Sequence, residues 1–179
     1  YKLLSQLSDT YLPTALQLFN KMATEICEGQ QYDVDFESQD HVAIEDYLLM
    51  IRLKTAVLLA TALKMGAYLA GAEQEAQDAL YQFGIHIGLA FQIQDDILDV
   101  WGDPATFGKA IGGDISCNKK TFVTITALKM ADEESKKELH YWFGQTLEDN
   151  TEKIASVKAI YARLGVYAEC EKSVKNQTD

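Results

Sequence analysis

Apolar residues recur three and four positions apart along almost the whole chain. Leu12, Ala15, Leu16, Phe19, Met22, Ala23 and Ile26 form one such stripe, the spacing that lines one face of an α-helix. Sustained strand-type alternation is hard to find. The pattern predicts an all-α chain with helices over residues 2–8, 11–30, 44–70, 73–101, 119–130, 132–146, 150–163 and 166–176. The breaks have physical causes: Gly71 suits a left-handed cap, Gly102-Asp103-Pro104 stops the fourth helix, and Gly165 separates the last two. Asp132, followed by Glu133 and Glu134, reads as an N-cap with acids at the positive end of the helix dipole. Residues 34–41 (VDFESQDH) read as a solvated acidic loop, and residues 102–118 (GDPATFGKAIGGDISCN) as a glycine-rich connection. With no internal repeat, low-complexity tract or Pro/Ser-rich linker, residues 1–179 are expected to form a single helical unit.

One predicted helix carries residues that a core does not want. In FQIQDDILDV, Asp95, Asp96 and Asp99 sit among Phe91, Ile93, Ile97, Leu98 and Val100, although an unpaired buried carboxylate is expensive. Asp95 and Asp99 are four apart and Asp96 and Asp99 three apart, so all three are expected on one side of the helix. The stripe continues back through Gln92, Gly88 and Gly84, and a polar, bare stripe on an apolar helix reads as the wall of a cavity. Carboxylates crowded within a turn repel one another, and burial raises their pKa values. A divalent cation reverses that interaction. Magnesium is a hard ion that takes one or two carboxylates and leaves its other positions to water and substrate phosphate. A solvated helix face would carry the same letters; the glycines above the aspartates and the lysines beyond them favour the metal. His86, on the same helix, reads as a satisfied core histidine.

Charge narrows the ligand. Lys and Arg total 16 against 27 Asp and Glu, a formal charge of -11, which argues against a broad nucleic-acid footprint. An anionic ligand must then be met by local cations or by metal. Lys109 lies in FGKAIGGD, and Lys119 and Lys120 lie in SCNKKTF at the start of the next predicted helix, where amide donors add to the cationic field. Lys54, followed by Thr55, stands on the most apolar helix; a snorkelling surface lysine accounts for it equally well. Set beside the aspartates, Lys54, Lys109 and Lys119 describe a diphosphate held through magnesium.

Other features set the context. The chain is 47% hydrophobic with 2 Pro, the composition of an ordinary soluble protein. Cys27, Cys117 and Cys170 have no zinc-type spacing and suit free thiols in a reducing cytoplasm, with Cys117 read as a small packing residue. The segment from Tyr47 to Ala70 carries Arg52, Lys54 and Lys64, so no integral membrane segment is expected. The chain opens at Tyr1 within a helical pattern of Leu3, Leu4, Leu7 and Tyr11, and is expected to begin partway through a larger protein.

FQIQDDILD, followed by GKAIGGDI and NKKT, resembles the second aspartate-rich region of the trans-isoprenyl diphosphate synthases, the farnesyl, geranylgeranyl and polyprenyl diphosphate synthases. Upstream, GQQYD (Gly29 to Asp33) resembles the family's GQxxD element, and Lys54-Thr55 its KT pair. Five elements in order are far more specific than DDxxD alone; the last forty or so residues are the least diagnostic.

The resemblance implies the all-α prenyl-synthase helical bundle around a deep central pocket, with the N-terminal helices absent from this chain. It implies that an allylic diphosphate ionises with Mg2+ assistance and isopentenyl diphosphate attacks the allylic cation. Carried over residue by residue, Asp95 is the principal metal ligand, supported by Asp96 and Asp99 directly or through water. Lys54, Lys109 and Lys119 hold the allylic diphosphate, Gln92 and Thr55 place dipoles near the cation, Gln30 and Asp33 lie at the pocket rim, and Phe91 is a wall residue. A homodimer is the family's usual state. The family also carries an earlier aspartate-rich motif followed by an arginine pair. Here there is no second DDxxD, and the arginines are Arg52 and Arg163. The chain is therefore expected to be a C-terminal portion, inactive on its own. A non-catalytic partner subunit and a terpene cyclase are the alternatives; the lysines of KT, GK and NKKT favour the elongating enzyme over the cyclase.

Overall fold

A computed structural model describes residues 1–108 and 111–178 of the chain. Helices account for the regular structure, with no strand among the described residues, as the periodicity requires. After a single 3₁₀ turn at Leu4–Gln6 come α1 (Leu12–Glu37), α2 (Ile44–Ile51), a π-helical segment at Arg52–Ala56, α3 (Val57–Leu69) and α4 (Gln74–Trp101). The shorter elements α5 (Pro104–Phe107), α6 (Gly113–Ser116), α7 (Phe122–Met130), α8 (Glu133–Phe143), α9 (Thr151–Leu164) and α10 (Val166–Thr178) follow. No helix of the described residues is long and apolar enough to cross a membrane.

Several expectations hold in detail. Asp132 caps α8, its carboxylate accepting from the Ser135 amide at 2.8 Å. Gly165 closes α9 at φ 70°, a backbone angle that costs glycine nothing. Others need correction. The acidic stretch after residue 34 is not all loop, because α1 runs on to Glu37 and carries the whole GQQYD element. Residues 2–8 hold one 3₁₀ turn rather than a helix. The helix expected from 119 starts at Phe122 with Thr121 as its cap, the Thr121 hydroxyl accepting from the Thr124 amide. Residues 102–118 are not a plain loop, since α5 and α6 lie within them.

The chain divides into two compact units, Tyr1–Val34 with Leu48–Leu89, and Asp35–Tyr47 with Ala90–Asp179. In the first, the glycines of α4 have a packing role. A Cβ on Gly84 would lie 2.4 Å from the Ala60 Cα, and one on Gly88 would lie 2.5 Å from the Ala56 Cα. Both glycines are buried. They let two backbones meet, so the polar stripe read back from Gln92 is, over its Gly84 and Gly88 portion, a seam between helices and not a cavity wall. Gly29 of α1 makes the same kind of approach, with a Cβ falling 2.4 Å from the Lys54 amide nitrogen. His86, expected in the core, is exposed.

In the second unit, α10 packs on α7 and α9, and both α6 and α8 pack on α9. Ile93, Ile97 and Val100 of α4 are buried, as are Val123, Val157 and Tyr161, and the Trp101 ring at the end of α4 lies against the Tyr161 ring of α9. The two units contain different parts of the candidate chemistry.

Candidate active site

The three aspartates of α4 do not share one environment. Asp95 and Asp99 are half-buried, whereas Asp96 is 4% exposed. One Asp96 oxygen accepts from the Tyr47 hydroxyl at 2.5 Å and the Phe122 amide at 2.9 Å, and the other from the Gln92 side-chain amide at 3.3 Å. Burial pushes this carboxyl up to about 7 against the pull of those donors, with the Asp114 charge adding to the rise. The Tyr47 hydroxyl is raised well above its ordinary value, first by burial and then by the Asp96 charge. Asp96 is thus spoken for by the protein, and its donors join α2 and the start of α7 to α4.

Removing one of those donors gives a direct test. Tyr47→Phe leaves the ring and deletes the hydroxyl, so at pH 8, where Asp96 is largely ionised, it is expected to cost about 1.5–3 kcal/mol of stability. The loss shrinks as pH falls below about 7, because the protonated carboxyl no longer needs a donor to offset a buried charge. Urea denaturation of both forms at pH 5.5 and pH 8 would show equal losses if the hydroxyl did not serve the carboxylate.

Asp99 is tied to the segment that follows. The Gly112 amide donates to the Asp99 carbonyl at 2.7 Å and the Asp114 amide to the Asp99 carboxylate at 3.0 Å. Gly112 sits at φ 83°, and a Cβ there would meet the Ile154 side chain at 2.7 Å. The start of α6 is therefore fixed between α4 and α9. Burial raises the Asp99 pKa, opposed by the Asp114 amide and by the Lys119 charge. The Lys119 ammonium lies 3.0 Å from an Asp114 carboxylate oxygen and remains largely exposed, while its amide donates to the Asp114 carbonyl. Aspartates and the NKK lysine thus meet around α6 within one unit.

Lys54 and Thr55 belong to the first unit. They lie in the π-helical segment, where the Val57 amide reaches back to the Arg52 carbonyl. Such segments insert one residue into a helix and frequently occur at functional sites. The Lys54 ammonium is 2.6 Å from an Asp33 oxygen, and both side chains are 36% exposed. KT and GQxxD are brought together as an ion pair. Gln30 is exposed on α1, Thr55 is half-buried, and Phe91 is 61% exposed in the second unit. Lys109 lies outside the described residues. Cys117, read as a packing residue, is exposed.

The donor chemistry fits magnesium in a restricted way. No three His, Cys, Asp or Glu side chains among the described residues form a group that could hold a metal. Asp95 and Asp99, four apart on α4, offer hard carboxylate oxygen of the number that magnesium commonly takes from protein, with water and phosphate completing its shell. Asp96, with both oxygens occupied internally, is suited to positioning. Sequence reasoning overlooked Tyr47, Asp114, Asn118 and Lys153. Tyr47 is hidden because its ring satisfies an apolar pattern, and Lys153 because TEKIASVK looks like a solvated helix.

The polyprenyl synthetase family model matches residues 1–164. The chain is 45% identical over 124 residues to the short chain isoprenyl diphosphate synthase of Methanocaldococcus jannaschii, covering 69% of this chain and 38% of that protein. A crystal structure of a geranylgeranyl pyrophosphate synthase superposes with a TM-score of 0.93 at 40% identity, covering 99% of this chain and 55% of that one. Another, the geranylgeranyl pyrophosphate synthase of Corynebacterium glutamicum complexed with isoprenyl diphosphate and magnesium, gives 0.87 at 33% identity over 96% of this chain and 49% of that one. The chain thus spans well under half of the curated relative and about half of the solved structures.

Proposed function

This chain belongs to the polyprenyl synthetase family, and on that premise we propose that the protein carrying it is a prenyltransferase that joins an allylic diphosphate to isopentenyl diphosphate. The observation that carries the reading is the meeting of Asp99, Asp114 and Lys119 around α6, which sets carboxylate and ammonium groups together in one unit. Asp95 and Asp99 would hold magnesium, which when bound supplies positive charge against the departing diphosphate. Lys119, exposed and paired with Asp114 in the structure, would supply an ammonium to the same anionic group, with Lys109 in the adjoining segment as a second cation by resemblance. A fixed cation stabilises charge as it develops on a leaving oxygen without having to reorganise during the reaction. Asp96 holds α4 against α7, so that the metal-binding carboxylates and the lysine turn keep their places.

Lys54, fixed by Asp33, belongs to the same reading as a diphosphate-binding cation. In the family pattern, Thr55 and Gln92 would place dipoles near the allylic carbon, Gln30 would stand at the rim, and Phe91 would offer an apolar wall against water. A cytoplasmic setting and a homodimer complete the proposal, the latter supported by the exposed Leu80, Phe83 and Ile87 on one face of α4.

The test is an assay of the full-length protein with an allylic diphosphate and isopentenyl diphosphate, with magnesium and with a chelator. Chain elongation that is lost on chelation is expected. Release of diphosphate from the allylic substrate without use of isopentenyl diphosphate would instead favour a cyclase. The stretch 1–179 by itself contains one DDxxD and is expected to give no elongation.

A further inference from the structure

Lys153 and Asp96 are the charged side chains that are buried among the described residues. Lys153, at the start of α9, is 1% exposed. A buried ammonium must be held by good acceptors to be tolerated. Its Nζ donates to the Asn118 side-chain oxygen at 2.7 Å. Asn118 has φ 55°, the one non-glycine residue with a positive φ among those described, and immediately precedes Lys119 and Lys120. Asparagine tolerates this conformation better than other side-chain-bearing residues. The turn is closed from both sides: the Lys119 amide donates to the Asp114 carbonyl, and the Phe122 amide donates to Asp96. Lys153 grips the residue at its apex.

We propose that Lys153 is a positioning residue for diphosphate binding: by holding Asn118 in the left-handed turn, its ammonium sets the direction in which Lys119 leaves the backbone. This rests on the reading of Lys119 given above. Lys153 is too buried to touch the ligand, so its effect passes through Asn118. Losing the contact frees the turn and spreads Lys119 over orientations that do not meet the diphosphate. Affinity for that group then falls, and chemistry in the bound complex is less affected.

The experiment uses the full-length protein with Lys153→Met, Asn118→Ala and the double variant. Binding of inorganic pyrophosphate with magnesium is measured by calorimetry, alongside KM for both substrates and thermal melting. Each single variant is expected to weaken pyrophosphate binding and raise the allylic KM by about tenfold, with kcat within about threefold and the isopentenyl diphosphate KM unchanged. The double variant is expected to be no worse than either single, because both remove the same contact. Wild-type pyrophosphate affinity in a folded Lys153→Met protein, or additive losses in the double variant, would overturn the proposal, whatever happens to the melting temperature. If Lys153→Met does not fold, Asn118→Ala decides alone by the same affinity criterion. A wild-type protein that binds pyrophosphate but elongates nothing would sink the prenyltransferase reading and leave the Lys153 measurement intact.

Discussion

Alanine at both Gly84 and Gly88 is expected to remove about 3 kcal/mol of folding stability, although Gly→Ala within an exposed helix normally adds up to about 1 kcal/mol per site. The sign reverses because of what each new methyl would meet. At Gly84 it would stand 2.4 Å from the Ala60 Cα and at Gly88 2.5 Å from the Ala56 Cα. Those are backbone atoms, which have no rotamer to escape into, so the helices themselves must part. Parting them strips contacts along the seam, and overpacking of this kind commonly costs 1–3 kcal/mol or so per site. Gly66 supplies the control, since a Cβ there meets nothing within 4 Å. Gly66→Ala should be neutral or mildly stabilising by urea denaturation. Should the double variant unfold at the same urea concentration as Gly66→Ala, the close seam is not present in solution.

Asp95→Ala is expected to lower kcat/KM of the full-length protein by about 10²–10³-fold, roughly 3–4 kcal/mol of transition-state stabilisation. Asp95 is half-buried, so its removal leaves no deep cavity and the melting temperature should change little. The contrast is Asp96→Ala. That side chain is 4% exposed and satisfies Tyr47, the Phe122 amide and Gln92, so its loss should appear first in stability. Steady-state kinetics at saturating magnesium, paired with melting curves, separates the two. Comparable melting losses for both variants, with activity falling in step, would show that Asp95 also acts by holding the fold.

The contrast between these neighbours explains how far the sequence could be read. Helix content was legible because burial of apolar faces imposes a period that survives without any knowledge of neighbours. The DDxxD and NKK elements were legible because their chemistry is unusual in an apolar setting. The division of labour among Asp95, Asp96 and Asp99 was not, since residues three or four apart share a broad face but meet different partners, and those partners come from α2, α7 and the start of α6. Gly84 and Gly88 show the same limit. A bare position on a helix opens either a cavity or a close approach, and only the opposing element decides which. Lys153 was hidden for the converse reason: a lysine beside Glu152 fits a solvated helix face, and its burial is imposed by elements packed from elsewhere.

The π-helical segment also means that the stretch from Ile44 to Leu69 has two registers instead of one. One extra residue in a turn rotates everything beyond it by roughly 100° relative to an unbroken α-helix. A face defined by Tyr47 and Met50 therefore does not continue to Val57 and Ala60 by counting in threes and fours. Deleting a single residue between Arg52 and Ala56 would preserve composition, helicity and nearly the length, while turning Lys54 away from Asp33 or the small-residue seam away from Gly84. For this helix, insertion and deletion are the mutations to which function is most exposed, and alignments that place a gap there describe a different surface.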